Sequence, residues 1–203
     1  MSEYSQIYKR DSSLTEEEKD VYLGIINRFI GYYSRRSLKN SKNRTEQEYP
    51  FIAMDTRQAV EEIRIARDYL QTEKKDKNEK MTFFDAGCGI GNILLIAEQY
   101  FFEVYGIEKD EYPCLLAQQL FGTERVQQAD IWDFQDYGNY DVIYYFRPLP
   151  DREPESRLEL LIENRLSRGA ILIANQKLSN EIEEDKRFRR IDAYYPIWQK
   201  IRF

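Results

Sequence analysis

Three glycines stand at alternate positions, Gly87, Gly89 and Gly91, just after the apolar run that ends in Asp85. Without a Cβ, a glycine allows left-handed turns and lets the backbone approach a ligand closely. A turn of this kind between a strand and a helix brings the ligand to a helix N-terminus, where backbone N–H groups are free. The stretch therefore predicts a loop that binds a small-molecule cofactor.

The spacing of the glycines separates two kinds of cofactor loop. A dinucleotide fingerprint has the form G-x-G-x-x-G, and its third glycine would fall on Asn92. This chain has G-x-G-x-G preceded by an acid. The plain alternative, a turn that is glycine-rich only for tight packing, is weakened by the acids that follow.

Two further acids end the next two predicted strands, as Asp85 ends the first. They are Glu108 and Asp130. In an open parallel sheet the ligand lies at the carboxyl ends of the strands. Asp85 and Glu108 are 108 − 85 = 23 residues apart, close to the spacing of about 20 at which an acid accepts from ribose hydroxyls. This pattern favours a ligand that contains a nucleoside.

The run Asp85-Ala86-Gly87-Cys88-Gly89-Ile90-Gly91-Asn92 resembles the first motif of the class I S-adenosylmethionine-dependent methyltransferases. The resemblance continues in order through the rest of the chain and implies S-adenosylmethionine as the cofactor. It implies that Asp85 helps to hold the amino-acid part, Glu108 the ribose hydroxyls and Asp130 the adenine amino group. The cofactor-binding residues it implies are Asp85, Gly87, Gly89, Gly91, Asn92, Glu108, Asp130 and Ile131.

The predicted fourth strand ends in Tyr145, Phe146 and Arg147, where similar enzymes meet the methyl acceptor. These three are the predicted catalytic residues. Rings beside a guanidinium suit an amine held against the rings, or an anionic group paired with Arg147. The alternative is that the rings only pack the sheet.

Two subfamilies that methylate DNA carry other residues at this place. The amino-group methylases have an Asn/Asp-Pro-Pro-aromatic run where this chain has Phe146-Arg147-Pro148-Leu149. The cytosine-C5 methylases place a Pro-Cys nucleophile here, whereas Pro113-Cys114 lies elsewhere in the sequence. DNA is therefore not an expected partner.

The chain of 203 residues has no histidine and two cysteines, and its net charge is −6. The lack of histidine excludes a His base, a Ser-His or Cys-His nucleophile and a His-ligated metal. Two distant cysteines, Cys88 and Cys114, do not form a zinc site, so no metal is expected. The acidic balance argues against a broad nucleic-acid surface. The chemistry must therefore need little acid–base help.

The N-terminal part reads as helical. Ser13-Leu14-Thr15-Glu16 has the form of a capping box, followed by apolar residues at helical spacing over 22–33. The polar and basic stretch 34–48 predicts a mobile loop. Asp55 can cap a second helix in which four residues share a face, and the polar run 71–80 predicts a linker. That face comprises Val60, Ile63, Arg67 and Leu70. The compact aromatic segment Tyr49-Pro50-Phe51-Ile52 is expected near the cleft.

From residue 81 the pattern alternates strand and helix, which is typical of a parallel sheet with helices on both faces. The last two runs, 188–194 and 197–203, are too close for a helical crossover and predict an antiparallel hairpin. The predicted strands span 81–85, 103–108, 125–130, 140–146, 169–174, 188–194 and 197–203, and the predicted helices span 92–101, 112–121, 153–166 and 180–186.

Together these features predict an α/β protein with a Rossmann-like, doubly wound, mostly parallel seven-stranded sheet that ends in an antiparallel hairpin. Residues 1–80 form a helical extension or lid with a polar linker, and residues 81–203 form the methyltransferase domain. No membrane-spanning run or signal peptide is visible, so a cytoplasmic protein is expected. A monomer or a homodimer fits.

The predicted function is methyl transfer to a protein side chain or a small molecule. RNA stays open as an acceptor but is disfavoured. A non-catalytic module that keeps the cofactor fold is a further alternative. An NAD-dependent oxidoreductase fits less well, because the third fingerprint glycine is missing.

Overall fold

The computed structural model describes residues 15–43, 49–73 and 80–202. Within these ranges no helix is both long and apolar enough to cross a membrane.

Helix α1 spans Glu16–Asn40 and begins with a capping box made by Thr15 and Glu18. The Glu18 amide donates to Thr15 Oγ1 at 3.3 Å, and the Thr15 amide donates to Glu18 Oε2 at 3.0 Å. The prediction placed this box two residues too early and is wrong. Ser13 lies outside the described residues.

The same helix continues through the first part of the predicted loop 34–48. Residues 34–40 are helical, so Arg35, Arg36 and Lys39 lie on the last turns of α1. Their basic character misled the prediction, but cations near a helix C-terminus are favoured by its dipole. Residues 44–48 lie outside the described part of the chain.

Helix α2 spans Thr56–Glu73. Asp55 caps it as predicted, because its Oδ1 accepts from the Gln58 amide at 2.8 Å. Three residues of the predicted apolar face, Val60, Ile63 and Leu70, are buried. The helix runs further into the polar stretch 71–80 than predicted, and residues 74–79 are not among those described.

Seven strands and three further α-helices follow. Two single turns of 3₁₀ helix, Tyr137–Asn139 and Glu181–Glu183, take the remaining connections, so the predicted helix 180–186 is only one turn. In chain order the elements are β1 Met81–Ala86, α3 Asn92–Gln99, β2 Phe102–Glu108, α4 Glu111–Phe121, β3 Val126–Gln128, β4 Val142–Phe146, α5 Arg152–Arg165, β5 Ile171–Asn175, β6 Phe188–Arg190 and β7 Ile197–Lys200.

The strands form one sheet in the order β3-β2-β1-β4-β5-β7-β6. Pairs from β3 through β5 are parallel, whereas β7 is antiparallel to both β5 and β6. The predicted sheet and its terminal hairpin are confirmed. Strand order reverses next to β1, between β1 and β4, which is where open α/β sheets bind ligands.

Alternate side chains of the central strands serve two different cores. Phe83 and Tyr144 point toward α2, α3 and α4, in one apolar cluster that also includes Ile63. Phe84 and Tyr145 belong to the other cluster, which packs against α5. The helical N-terminal part thus shares a core with β1 rather than forming one of its own.

Candidate functional site

A cleft of about 360 Å³ lies at the carboxyl ends of β1, β2 and β4. This volume falls within the range of about 300–1,000 Å³ found for small-molecule sites. One end is lined by the glycine turn and by residues that follow β2 and β3. The other end is lined by segment 49–54, by the end of β4 with the residues that follow it, and by Gln176.

The glycine turn joins β1 to α3 in left-handed backbone conformations. Gly87, Gly89 and Gly91 have φ values of 88°, 54° and 82°. The amides of Gly87 and Cys88 both donate to the Ile107 carbonyl, at 3.0 and 2.8 Å, which fixes the turn against β2. Gly91 is the N-cap of α3. Positive φ explains why glycine is needed at all three positions.

The aromatic ring of Phe51 lies on Gly89. A Cβ added to Gly89 would stand 2.3 Å from Phe51 Cδ2, so a side chain there would displace the ring. Tyr49, Pro50 and Phe51 all line the cleft, as expected from the sequence. We call residues 49–54 the covering segment.

Asp85 lines the cleft floor with only 2 % of its surface exposed. Its carboxylate accepts no hydrogen bond from the residues that the structure describes. Burial, and secondarily the nearby Glu108 carboxylate, raises the pKa of Asp85 well above its ordinary value. A buried carboxyl without a partner is costly, so this group is arranged to meet a donor or a cation from a ligand.

Glu108 is held at the end of β2 by two backbone amides. Gly89 N donates to Oε2 at 2.9 Å and Asp110 N donates to Oε1 at 2.8 Å. Burial raises the pKa of Glu108 to about 7, although these amide hydrogen bonds oppose the rise. A carboxylate has about four lone-pair sites, so Glu108 keeps capacity to accept from a ligand such as a ribose diol.

Asp130 follows β3 and is already paired on both oxygens. Lys109 Nζ lies 2.8 Å from Oδ2, and the Trp132 amide donates to Oδ1 at 3.0 Å. Ile131 and Trp132 line the cleft beside it. Asn92, at the start of α3, also lines the cleft. The structure thus brings the predicted cofactor residues around one end of a single cavity, with Gly91 capping the helix behind them.

Tyr145 does not reach the cleft, contrary to the prediction. It is 1 % exposed, and its hydroxyl has no hydrogen-bond partner among the described residues. Successive side chains of a strand point to opposite faces, so Tyr145 faces α5 and its neighbour Tyr144 faces the cleft. The sequence identified the end of the strand but not the face of each ring.

Phe146 and Arg147 do line the cleft. Arg147 has a φ of 27°, which is uncommon for a residue with a side chain. Its amide donates to the Asn175 carbonyl at 3.2 Å, and its Nη2 donates to the Pro150 carbonyl at 3.1 Å. Its Cζ lies 6.0 Å from the centre of the Tyr49 ring. The guanidinium is therefore held in place beside an aromatic wall.

Buried glutamates of α5 hold the loops that follow β4 and β5. Glu155 Oε2 accepts from the Leu149 amide at 3.0 Å. Glu159 accepts from the amides of Leu178 and Ser179 at 2.6 and 3.1 Å, and its Oε2 lies 2.8 Å from Lys177 Nζ. Glutamates spaced four apart on a helix read as a solvent-facing stripe, so sequence reasoning missed them.

Helix α2 is joined to the end of β5 by a second buried network. Asn175 Nδ2 donates to Glu62 Oε2 at 2.8 Å, and Gln58 donates to Glu62 Oε1 and Asn175 Oδ1 at 2.7 and 3.1 Å. Burial raises the pKa of Glu62, while these hydrogen bonds lower it. Sequence reasoning missed this contact because its partners are 113 residues apart.

No protein-family model matches this chain, and a search of curated proteins finds no match. Solved structures do resemble it. A magnesium protoporphyrin IX methyltransferase from Synechocystis PCC 6803, with bound S-adenosylmethionine, gives a TM-score of 0.52 at 17% identity, covering 88% of this chain and 97% of that one.

Two other similar structures match over shorter stretches. A sugar N-methyltransferase from Streptoalloteichus gives a TM-score of 0.46 at 17% identity, covering 66% of this chain and 58% of that chain. A plantazolicin methyltransferase in complex with a triazolic analogue and S-adenosylhomocysteine gives 0.46 at 21% identity, covering 59% and 47%. This chain thus spans only about half to three-fifths of their length.

The likeness to the magnesium protoporphyrin IX methyltransferase extends over nearly all of both chains. With the strand order and the glycine turn, it shows that this protein has the class I methyltransferase fold.

Proposed function

We propose that this protein is an S-adenosylmethionine-dependent methyltransferase that acts on a small molecule or a protein side chain. The observation that carries the proposal is the Asp85 carboxyl, which is buried at the cleft floor beside a turn of three left-handed glycines and accepts no hydrogen bond from a described residue. S-adenosylmethionine offers an ammonium group and a sulfonium, and either kind of cation would compensate that carboxyl.

The other cofactor-end residues fit the remaining parts of the same molecule. Glu108 keeps capacity to accept from the ribose hydroxyls. Ile131 and Trp132 provide apolar surface for the adenine ring. Asp130 can accept from the adenine amino group only by sharing oxygens that already accept from Lys109 and Trp132. The charge and polarity of each of these cofactor-end residues are compatible with the part of S-adenosylmethionine that it would contact.

When bound, S-adenosylmethionine supplies a methyl group on a sulfonium, and transfer of that methyl group leaves a neutral thioether. The chain's own residues then have to orient the acceptor and exclude water, which can supply much of the acceleration of a reaction. Tyr144 and Phe146 form the wall on which an acceptor would lie, and the covering segment closes the cleft above Gly89. This work needs no histidine.

We infer that the covering segment acts as the lid of the cleft. Its residues contribute five of the side chains that line the cavity: Tyr49, Pro50, Phe51, Ile52 and Met54. We propose that the boundary near residue 80 separates a lid from a methyltransferase domain by function. It does not separate two cores, because α2 and β1 share one core.

The first test is calorimetry with S-adenosylmethionine, S-adenosylhomocysteine and NAD. Binding of the first two and not of NAD is expected, and binding of NAD alone would favour the oxidoreductase. The second test adds methyl-labelled cofactor to cell extract and separates the products by size. Label in small molecules or proteins is expected, label in RNA would point to an RNA methyltransferase, and binding without transfer would indicate a non-catalytic module.

A further inference from the structure

The two ends of the cleft differ in charge. Three acids line the cavity, Asp85, Glu108 and Asp130. The proposed function assigns them to the cofactor, and we call the part of the cleft formed by them and the glycine turn the cofactor end. At the other end, formed by the covering segment, the end of β4 with residues 146–149, and Gln176, Arg147 is the one charged residue among the described lining residues. Because the proposed function assigns these three acids to the cofactor, and Lys109 pairs with Asp130, Arg147 is the charged lining residue that remains for an acceptor.

Arg147 has no carboxylate partner of its own. No ion pair within 4.0 Å joins it to an acid in the described part of the chain, and the Glu155 carboxyl interacts with it only at longer range. Nη2 is used by the Pro150 carbonyl, and Nη1 donates to no described residue. A partly buried cation in a largely apolar cleft is costly unless an anion pairs with it.

The guanidinium is also preorganised. The amide of Arg147 is tied to the Asn175 carbonyl, its Nη2 is tied to Pro150, and prolines at 148 and 150 restrict the loop. A planar guanidinium fixed in this way matches a carboxylate better than it matches a single point charge. The site thus suits an anion that presents two oxygens, as a carboxylate or a phosphate does.

Aromatic and apolar side chains form the rest of this end. Tyr49, Phe51, Tyr144 and Phe146 line the cavity together with Pro148. Aromatic rings favour a flat partner through offset or edge-to-face contacts. The ring of Tyr49 lies beside the guanidinium itself.

We propose that the acceptor is a small planar aromatic or conjugated molecule that bears a carboxylate, and that Arg147 pairs with this carboxylate. The inference rests on the proposed methyltransferase function and extends it to a substrate class. A nucleotide would also combine a ring with an anion, but one arginine in a chain of net charge −6 matches the single charge of a carboxylate better than the nearly double charge of a phosphate.

The test is to titrate the protein with benzoate, benzamide, benzylamine, acetate and uridine monophosphate and to measure each affinity. Each titration is done in the absence and in the presence of saturating S-adenosylhomocysteine. Benzoate should bind at least about tenfold more tightly than neutral benzamide, the discrimination expected for a charge-assisted hydrogen bond. Benzylamine and acetate should bind more weakly than benzoate. Tighter binding of benzylamine or uridine monophosphate than of benzoate would overturn the proposal.

Variants assign the effect to Arg147. Arg147→Gln should weaken benzoate binding about tenfold or more and leave benzamide binding unchanged, whereas Arg147→Lys should lose part of the preference. Arg152→Gln removes the same charge from an exposed site outside the cleft and should behave like the parent. Equal benzoate affinity in the parent, Arg147→Gln and Arg147→Lys would refute the assignment.

The affinity for S-adenosylhomocysteine, measured on the same samples, tests the methyltransferase proposal separately. A protein that binds benzoate through Arg147 but not S-adenosylhomocysteine would leave the anion site standing and defeat the proposed function. A protein that binds S-adenosylhomocysteine but shows no preference for benzoate would do the reverse.

Discussion

The two parts of the cleft that we propose for the cofactor and for the acceptor are built in different ways. The proposed acceptor end comprises the covering segment, the end of β4 with residues 146–149, and Gln176. At the cofactor end, the acids Asp85, Glu108 and Asp130 each lie at or just beyond the end of a strand, and the glycine turn lies between the first strand and its helix. At the acceptor end, the wall combines the covering segment with the loops after β4 and β5, which are far apart in the sequence.

The hydrogen bonds that hold the residues of the two ends in place differ as well. Main-chain amides of the glycine turn and of the residues after β2 hold Glu108 in place. The acceptor loops instead rest on buried glutamates of α5 and on the link between Glu62 and Asn175. Both ends therefore use hydrogen bonds between a carboxylate and main-chain amides at most 20 positions away, and the acceptor end adds a side-chain link between residues 113 positions apart.

The largest effect is expected at the glycine turn. Gly89→Val should weaken S-adenosylhomocysteine binding by at least about 100-fold, because the residue has positive φ and the new side chain would collide with Phe51. Calorimetry measures the loss. Gly87→Val has more room, since its Cβ would lie 3.7 Å from Pro148 Cβ, and therefore tests backbone strain alone.

Gly31→Ala is the control for the glycine substitutions. This glycine lies on the exposed side of α1 with nothing within 4 Å of the added Cβ, so binding should stay at the parental value. A folded Gly89→Val protein that binds S-adenosylhomocysteine as tightly as the parent would show that the turn is not the cofactor site.

Glu108→Ala should weaken S-adenosylhomocysteine binding by about 1 to 3 kcal/mol, as is typical for hydrogen bonds to a charged group. Because the pKa of Glu108 is raised to about 7, the parent should also bind more tightly as the pH rises from 6 to 8, where the carboxylate forms. Calorimetry at several pH values tests both points. Glu108→Gln should flatten the pH dependence, and an unflattened profile would assign it to another group.

Glu155→Gln tests the buried support of the acceptor end. Burial raises the pKa of Glu155 to about 7, with Glu159 adding to the rise and Arg147 and Lys177 opposing it. The folded state therefore binds more protons than the unfolded state between about pH 4.5 and 7, so this group lowers the free energy of unfolding as the pH rises through that window.

At pH 8 the Glu155→Gln protein should accordingly be more stable than the parent by about 1 to 3 kcal/mol, and at pH 4.5 the two should be equal. Urea unfolding at both pH values measures the difference. Glu153→Gln removes an exposed acid from the same helix and serves as the control. A Glu155→Gln protein that is less stable at pH 8 would mean that the charge is needed to hold the Leu149 loop.

The smallest effect is expected at Tyr145. Its hydroxyl is buried on the face away from the cleft and has no partner in the part of the chain that the structure describes. Tyr145→Phe should therefore change stability by less than about 1 kcal/mol and leave S-adenosylhomocysteine and benzoate binding unchanged. Tyr144→Leu and Tyr145→Leu are the matched pair for the two faces: each removes a buried ring, but only Tyr144 lines the cleft, so only Tyr144→Leu should weaken benzoate binding. Identical behaviour of the two variants would contradict the assignment of faces.

Some features of the fold were predictable because their causes are local. The glycine turn, the Asp55 cap and the hairpin of β6 and β7 each depend on residues within a few positions of one another. The order of alternating strands and helices followed from hydrophobic periodicity. Element ends were less accurate, as with β3, which pairs over only Val126–Gln128 although its pattern extends further.

The sequence alone predicted the residues of the proposed cofactor end, because strand ends and glycine spacing are local features of the chain and a parallel sheet brings them to one edge. Only the tertiary structure decided the acceptor end. It turned Tyr144 rather than Tyr145 toward the cleft, laid Phe51 on Gly89 and buried Glu155 beneath Leu149. The reason is physical: such contacts arise when distant segments pack, and their side chains look like ordinary core or surface residues until the packing is known.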